Sequence, residues 1–188
     1  MIYRLQMDRF KYLAFDITPE ELEKQLGPDY FFLLDEEKWL PFWHPLSAEF
    51  YNDGDARSTP KLPDVCCWFT DNLVLSEKAY TLLCHKLSSC GEFLPVEYKG
   101  NRYYIFHVTA EVGMEAIDQN MSQRVVEESG FVDVKKLIFK QDVVVDELVF
   151  RSTYTANKGV FCTESFRQMI EEASFEGIHF STDLAEII

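Results

Sequence analysis

Histidine and cysteine are the side chains of this sequence best suited to hold a metal or to attack a substrate. His44, His85, His107 and His179 stand far apart, and none forms an H-x-x-x-H or H-E-x-x-H pair. Cys84 and His85 are adjacent, which on a helix points them about 100° apart. Cys66 and Cys67 are also adjacent, and on a strand they face opposite sides. Neither spacing is that of a zinc site. Thiol catalysis needs a cysteine paired in space with a histidine acting as base. Cys66 or Cys67 could pair with His85, His107 or His179, and nothing in the sequence selects a pair. No G-x-S-x-G elbow occurs, Ser76-Glu77-Lys78 is not an S-x-x-K motif, and no G-x-G-x-x-G or G-x-x-x-x-G-K-[ST] phosphate loop is present. The expectation is no catalytic residue, no cofactor and no metal, with the cysteines behaving as small buried hydrophobes.

Charge narrows the partner. Thirty-two acidic residues against 18 basic ones leave a net charge of −14. A phosphate binder needs a basic face, and an anionic membrane repels such a chain, so nucleic acid and membrane surfaces are excluded as partners. A basic protein is the partner the charge favours, with solubility as the plainer reading. Five cysteines, an odd number, suit free thiols in a reducing cytoplasm. The first residues carry no apolar signal-peptide core, and no apolar run is long enough to span a bilayer.

The elements that must position these residues follow from pattern. Residues 62–108 hold the densest signals. Leu73-Val74-Leu75 ends at Ser76, a good N-cap, with Glu77 in the first turn of a helix. Ala79, Leu83 and Leu87 share a face, with Leu82 beside them, and Gly91 is a plausible terminator. Residues 93–98 and 102–108 read as a hairpin about Lys99-Gly100-Asn101. Upstream, residues 2–17 hold one or two strands, Thr18-Pro19 starts a helix stopped by Gly27-Pro28, and residues 30–34 are a buried-strand candidate. Residues 39–60 are irregular and rich in Pro, Trp and Phe; their aromatics either pin a loop to the core or form a contact surface. Downstream, Met114, Ile117 and Met121 suggest a short helix or turn, and 137–139 and 148–150 read as strands, with 143–145 either strand or a buried turn. Thr163-Glu164 repeats the Ser76-Glu77 cap before a helix presenting Phe166, Met169, Ile170 and Ala173, then Gly177 and another strand. The unit of apolar run, cap, helix, Gly and strand thus occurs twice. The fold expected is α+β, an antiparallel or mixed sheet with hairpins and about four helices, in a single domain 1–188, either continuous or with a smaller N-terminal lobe over 1–60.

The Pro63-Asp64-Val65 and Leu75–Ala79 stretches, Phe150-Arg151, the Val160–Phe166 run and Glu176-Gly177-Ile178-His179-Phe180 together resemble the bacterial immunity proteins that protect against polymorphic toxins. The resemblance covers roughly residues 60–185, the family-like part being 61–188. It implies a protein that binds and neutralises a cognate toxin by steric occlusion, without catalysis. A small enzyme using a Cys or a carboxylate pair, and a self-associating structural protein, are the alternatives. If the toxin is basic, the carboxylates expected at the contact are Asp53 and Asp55 in the irregular segment and Glu127 and Glu128. Trp39 or Trp43 would be the apolar anchor.

Overall fold

The computed structural model describes residues 1–34, 37–54 and 59–185. Strand β1 (Ile2–Met7) and the short β2 (Ala14–Asp16) occupy the first stretch. Thr18 caps helix α1 (Pro19–Leu26), its hydroxyl accepting from Glu21 N at 3.2 Å. Residues 30–34 are not a strand. They form one helical turn, α2 (Tyr30–Leu34), which buries Tyr30 and exposes Phe31 and Phe32. A five-residue apolar run satisfies either structure, and here the backbone bonds stay local, Tyr30 N donating to Gly27 O and Phe32 N to Asp29 O.

Strands β3 (Leu46–Ser47), β4 (Glu49–Tyr51), β5 (Val65–Trp68) and β6 (Asn72–Ser76) lead to helix α3 (Glu77–Leu87). Ser76 Oγ accepts from Ala79 N at 3.3 Å, which satisfies one early helical donor. Ala79, Leu83 and Leu87 are buried, while Leu82 is 55% exposed. Gly91 does not end this helix. It opens β7 (Gly91–Tyr98), and a Cβ there would strike the His107 carbonyl, so close strand approach requires the glycine. Lys99 and Gly100, with φ of 50° and 79°, turn the chain into β8 (Asn101–Val108). Two positive φ values match the right-handed twist of the flanking strands.

The C-terminal half holds β9 (Glu111–Val112), β10 (Gln123–Val126), β11 (Val132–Lys136), β12 (Val149–Ser152), β13 (Phe161–Thr163), helix α4 (Glu164–Glu172) and β14 (Ile178–Ser181). The helical spacing of Met114, Ile117 and Met121 yields a single 3-10 turn over Met114–Ala116. Residues 137–139 are not a strand; Phe139 makes one bridge to Ile117, Leu137 and Phe139 enter the core, and Ile138 is exposed. Residues 143–145 form turns that bury Val144 and expose Val143 and Val145. Thr163 precedes α4 as Ser76 precedes α3, but its hydroxyl makes no cap bond.

The strands build two mixed five-stranded sheets, ordered β3-β7-β8-β6-β5 and β14-β1-β13-β12-β9. The two capped units are topological copies. In the first sheet β6 and β7 each run antiparallel to β8, which lies between them. In the second, β13 and β14 each run antiparallel to β1. Each pair of outer strands is therefore parallel and joined by a helix, with one strand inserted in the gap. β8, the inserted strand of the first sheet, follows directly in the chain, whereas β1 comes from its far end.

Alternation along the strands sends side chains into three cores. Leu73, Leu75 and Phe106 of the first sheet meet Tyr3, Leu5 and Cys162 of the second, with Leu83 of α3 and Phe166 of α4. The opposite face of the first sheet, with Val74 and Ile105, is covered by the N-terminal segment through Leu22, Trp39, Leu46 and Phe50. The opposite face of the second, with Phe150 and Phe161, is covered by Ile117, Val134 and Phe139.

Candidate functional site

The residues singled out for partner contact do not converge. Trp39 is 2% exposed and stacks on His107 at 4.0 Å between ring centres, so it belongs to the core under the first sheet rather than to its surface. Trp43 is half-buried, and its Nε1 donates to the Pro95 carbonyl at 3.0 Å. The aromatic-rich segment is thus mainly pinned to the core, and Tyr51 and Leu40 are its exposed apolar members. Glu127 and Glu128 are exposed at the turn of the β10–β11 hairpin, on the outer side of the second sheet. Asp55 lies outside the described residues. Asp53 is exposed and lies in a groove where the two sheets meet.

That groove holds a cleft of about 430 Å3 between the end of β1, the two-stranded sheet β2–β4 and the turn joining β5 to β6. A neighbouring hollow shares Gln6, Met7, Arg9 and Asp53 with it, and extends the groove to Phe10 and His179. Three large aromatics stand exposed along it: Phe10 at 74%, Phe69 at 57% and Tyr51 at 45%. Phe69 takes a φ of 51° in the β5–β6 turn and stacks on Trp68 at 4.3 Å. A bulky residue in that left-handed region costs roughly 1–3 kcal/mol.

The register of β2 and β4 brings Asp16 and Tyr51 to the groove, with Glu49 outside its lining. Ala14 opposes Tyr51, Phe15 opposes Phe50, and Asp16 opposes Glu49. Opposed residues share a face, so Phe15 and Phe50 enter the core while Asp16, Glu49 and Tyr51 point the other way. Asp16 accepts from Trp68 Nε1 at 3.3 Å. Among the described residues, no cation pairs with Asp16 or Glu49. Asp53 Oδ2 is bridged by Arg9 at 3.0 Å, both side chains being well solvated. Burial raises the Tyr51 pKa, and the charges of Asp53 and Asp16 raise it further, opposed by Arg9. Arg4 also lines the cleft, and its guanidinium donates to the Leu184 carbonyl at 3.0 Å.

Cys67 also lines the cleft, and burial pushes its thiol up to about 12, against the lowering pull of Arg4 and Arg9. A thiol held protonated is a poor nucleophile. Burial likewise raises Cys66 and Cys162 far above the ordinary thiol value. The five cysteines are free. His107 is 2% exposed and is bonded through Nδ1 to Asn72 Oδ1 (2.8 Å) and through Nε2 to the Glu37 carbonyl (3.1 Å). Asn72 Nδ2 donates to Asp71, and Arg151 pairs with Asp71 at 3.3 Å. Glu92 accepts from Trp39 N at 2.8 Å and Leu40 N at 3.2 Å. His107 and Glu92 therefore fasten the covering segment to the sheet, and the histidine is spent on that task. Among the described residues, no group of three His, Cys, Asp or Glu side chains is arranged to hold a metal.

Of the residues the sequence names for partner contact, Asp53 lines the groove. Asp16 and Tyr51 join it there only because β2 pairs with β4 across some 30 residues of chain, and Phe69 joins from the β5–β6 turn. Phe69 left a signal in its place between Trp68 and the turn-forming Thr70-Asp71-Asn72.

A family whose description reads "Immunity protein family (Imm11)" matches residues 48–183. That stretch runs from β4 through β14 and includes both capped helices. No curated protein matches the chain.

Proposed function

Because the chain belongs to the Imm11 immunity protein family, we propose that it binds a cognate toxin and neutralises it by covering the surface the toxin uses for its substrate. The family match over residues 48–183 carries this reading. The physical character of the molecule supports it. An interface needs exposed apolar anchors inside a polar surround, and the groove offers Phe10, Tyr51 and Phe69 beside carboxylates. The protein contributes no catalytic step; the Cys67 thiol in the groove is held protonated and the buried His107 is occupied. The charge of −14 favours a basic toxin, such as one that must grip nucleic-acid phosphates. Action in the cytoplasm, where thiols stay reduced, accords with five free cysteines.

The test is a pull-down from the source cell read by mass spectrometry, followed by co-expression with the toxin domain it recovers. Growth arrest by the toxin should be relieved, and the two proteins should copurify at one to one. Unrelieved arrest together with separate elution on size exclusion refutes the reading.

A further inference from the structure

We infer that the toxin docks on the free edge of β10, where an extended segment of it pairs as a third strand beside the β10–β11 hairpin. The inference rests on the toxin-binding reading and names the surface and the form of that contact.

The register of the hairpin shows which backbone groups are available. Glu127 N donates to the Phe131 carbonyl and Gly130 N to the Glu127 carbonyl, both at 2.9 Å, with Gly130 at a φ of 83°. This is a three-residue loop closed by a bonded pair. Bonded and non-bonded pairs alternate along an antiparallel ladder. Val126 and Val132 therefore form a non-bonded pair, and Val125 and Asp133 a bonded one. The N–H and C=O of Val126 point away from β11, and among the described residues no strand lies on that side. The side chains leave the same edge open. Val126 and Val132 share a face, yet Val132 is 7% exposed and Val126 57%. The core beneath the hairpin thus ends between the two strands, and β10 overhangs it. On the other face Val125 is exposed as well, and so is Phe131 at the loop.

Other edges of the fold are guarded. β3 and β9 are two residues long. β5 and β14 pack against each other, and Val65 N donates to the Glu176 carbonyl just before β14. Short or covered edges resist stray pairing. On β10 a bulge lies between Gln123 and Arg124, and Arg124 turns inward to donate to the Tyr154 carbonyl at 2.6 Å. Neither feature shields Val125 and Val126, whose side chains favour strand pairing. An edge open in this way takes an extended segment through main-chain bonds, with side chains fitted on either face. Charge disfavours a second copy as that segment. Each chain carries −14, and with Arg124 turned inward β10 offers no cation to a copy's Glu127 and Glu128. Within the hairpin the charges balance, Glu127, Glu128 and Asp133 against Arg124, Lys135 and Lys136. Backbone bonds and apolar contact therefore hold the docked strand. Lys158 stands over the Phe131 ring at 4.5 Å, and Gly159 beside it lines the groove, so this edge and the groove adjoin.

The test is residue-resolved amide exchange, read by NMR, on wild type alone and with the toxin domain recovered from the source cell. In the free protein the Val126 amide should exchange freely, while those of Val125 and Glu127, bonded to β11, are protected. In the complex, exchange at Val126 should slow at least tenfold. Val126→Pro removes the outward N–H and leaves the bonds to β11, as edge positions allow. It should weaken binding at least tenfold, mostly by faster dissociation. Val126→Thr keeps the backbone and should bind within threefold of wild type. Thermal melts report folding, and if Val126→Pro does not fold the exchange result decides. A complex in which Val126 still exchanges freely overturns the inference and leaves the toxin-binding reading standing. So does a folded Val126→Pro that binds like wild type, or a Val126→Thr that loses as much as Val126→Pro. Protection of Val126 in a free protein with the mass of a dimer also overturns it, because a second copy then holds the edge. Failure of wild type to bind removes the toxin-binding reading and this inference together.

Discussion

Replacing Leu83 with alanine, beside the same change at Leu82, tests the placement of α3 against the core shared by the two sheets. The two leucines are consecutive and differ almost solely in surroundings. Leu83 is 2% exposed among Leu73, Phe106 and Phe166, whereas Leu82 is 55% exposed. Leu→Ala removes three carbons, worth about 2.4 kcal/mol at about 0.8 kcal/mol per buried methylene. In a close-packed site the residual cavity brings the loss to about 3–4 kcal/mol. At Leu82 roughly half of the transfer term applies, no cavity forms, and alanine's higher helix propensity offsets part of the loss. The expected cost there is under about 1 kcal/mol. For a domain of this size the corresponding falls in Tm are roughly 6–16 °C and under about 4 °C. Equilibrium urea melts give the free energies directly, provided both variants keep the wild-type m-value. Equal losses at the two positions, or a larger loss at Leu82, would refute the orientation of the helix.

Three further outcomes follow from the caps and from one carboxylate. Ser76→Ala should cost about 1 kcal/mol in a urea melt, because its hydroxyl caps α3. Thr163→Val should cost nothing or stabilise, because Thr163 Oγ1 is buried without a partner and an isosteric methyl removes that burden; a loss as large as that of Ser76→Ala contradicts the assignment. Glu21 accepts from Ser47 N at 3.0 Å and from Gln25 Nε2 at 3.2 Å, and the bond from Ser47 N, with Lys24 nearby, holds its pKa below the ordinary value. The folded state therefore binds the proton less readily than the unfolded chain. Its contribution to stability is full above the ordinary glutamate pKa of about 4.5 and fades as pH falls through the lowered folded value. Melts of wild type and Glu21→Gln between pH 6 and pH 3.5 should converge at the acid end, and a gap that stays constant would show that Glu21 is not titrating in this contact.

The parts legible in the sequence were those decided within a few residues. Ser76, the Ala79-Leu83-Leu87 stripe and the Lys99-Gly100 turn predict α3 and the β7–β8 hairpin, since caps, stripes and tight turns act locally. The twofold occurrence of the capped unit was also readable, and it marks a shared topology in the two sheets. Where a short apolar run fits two structures, as at residues 30–34 and 137–139, pattern could not choose, and the neighbours of the run decided. Gly91 looked like a helix end because glycine serves both turns and close approach; the His107 carbonyl across the sheet made it the second. The groove was the least legible feature. Its wall depends on one strand register, its floor on β1 and β5, and its rim on a turn, and no window of sequence contains all three.

The place of β1 also bears on how the chain comes together in time. Tyr3 donates to Glu164 across 161 residues of chain. At roughly 5–20 residues per second of synthesis, β1 waits roughly 8–30 seconds for the strands that will flank it. Through that interval both of its edges are open to any extended segment, the situation in which strands join the wrong chain. The strand's own composition answers the hazard. Arg4 and Gln6 alternate with Tyr3 and Leu5 along IYRLQM, so one face of the waiting strand is polar and carries a charge. The strand thus carries its own protection until the last tenth of the chain arrives, and a hydrophobic residue at position 4 would be paid for in aggregation during synthesis before any loss showed in the finished fold.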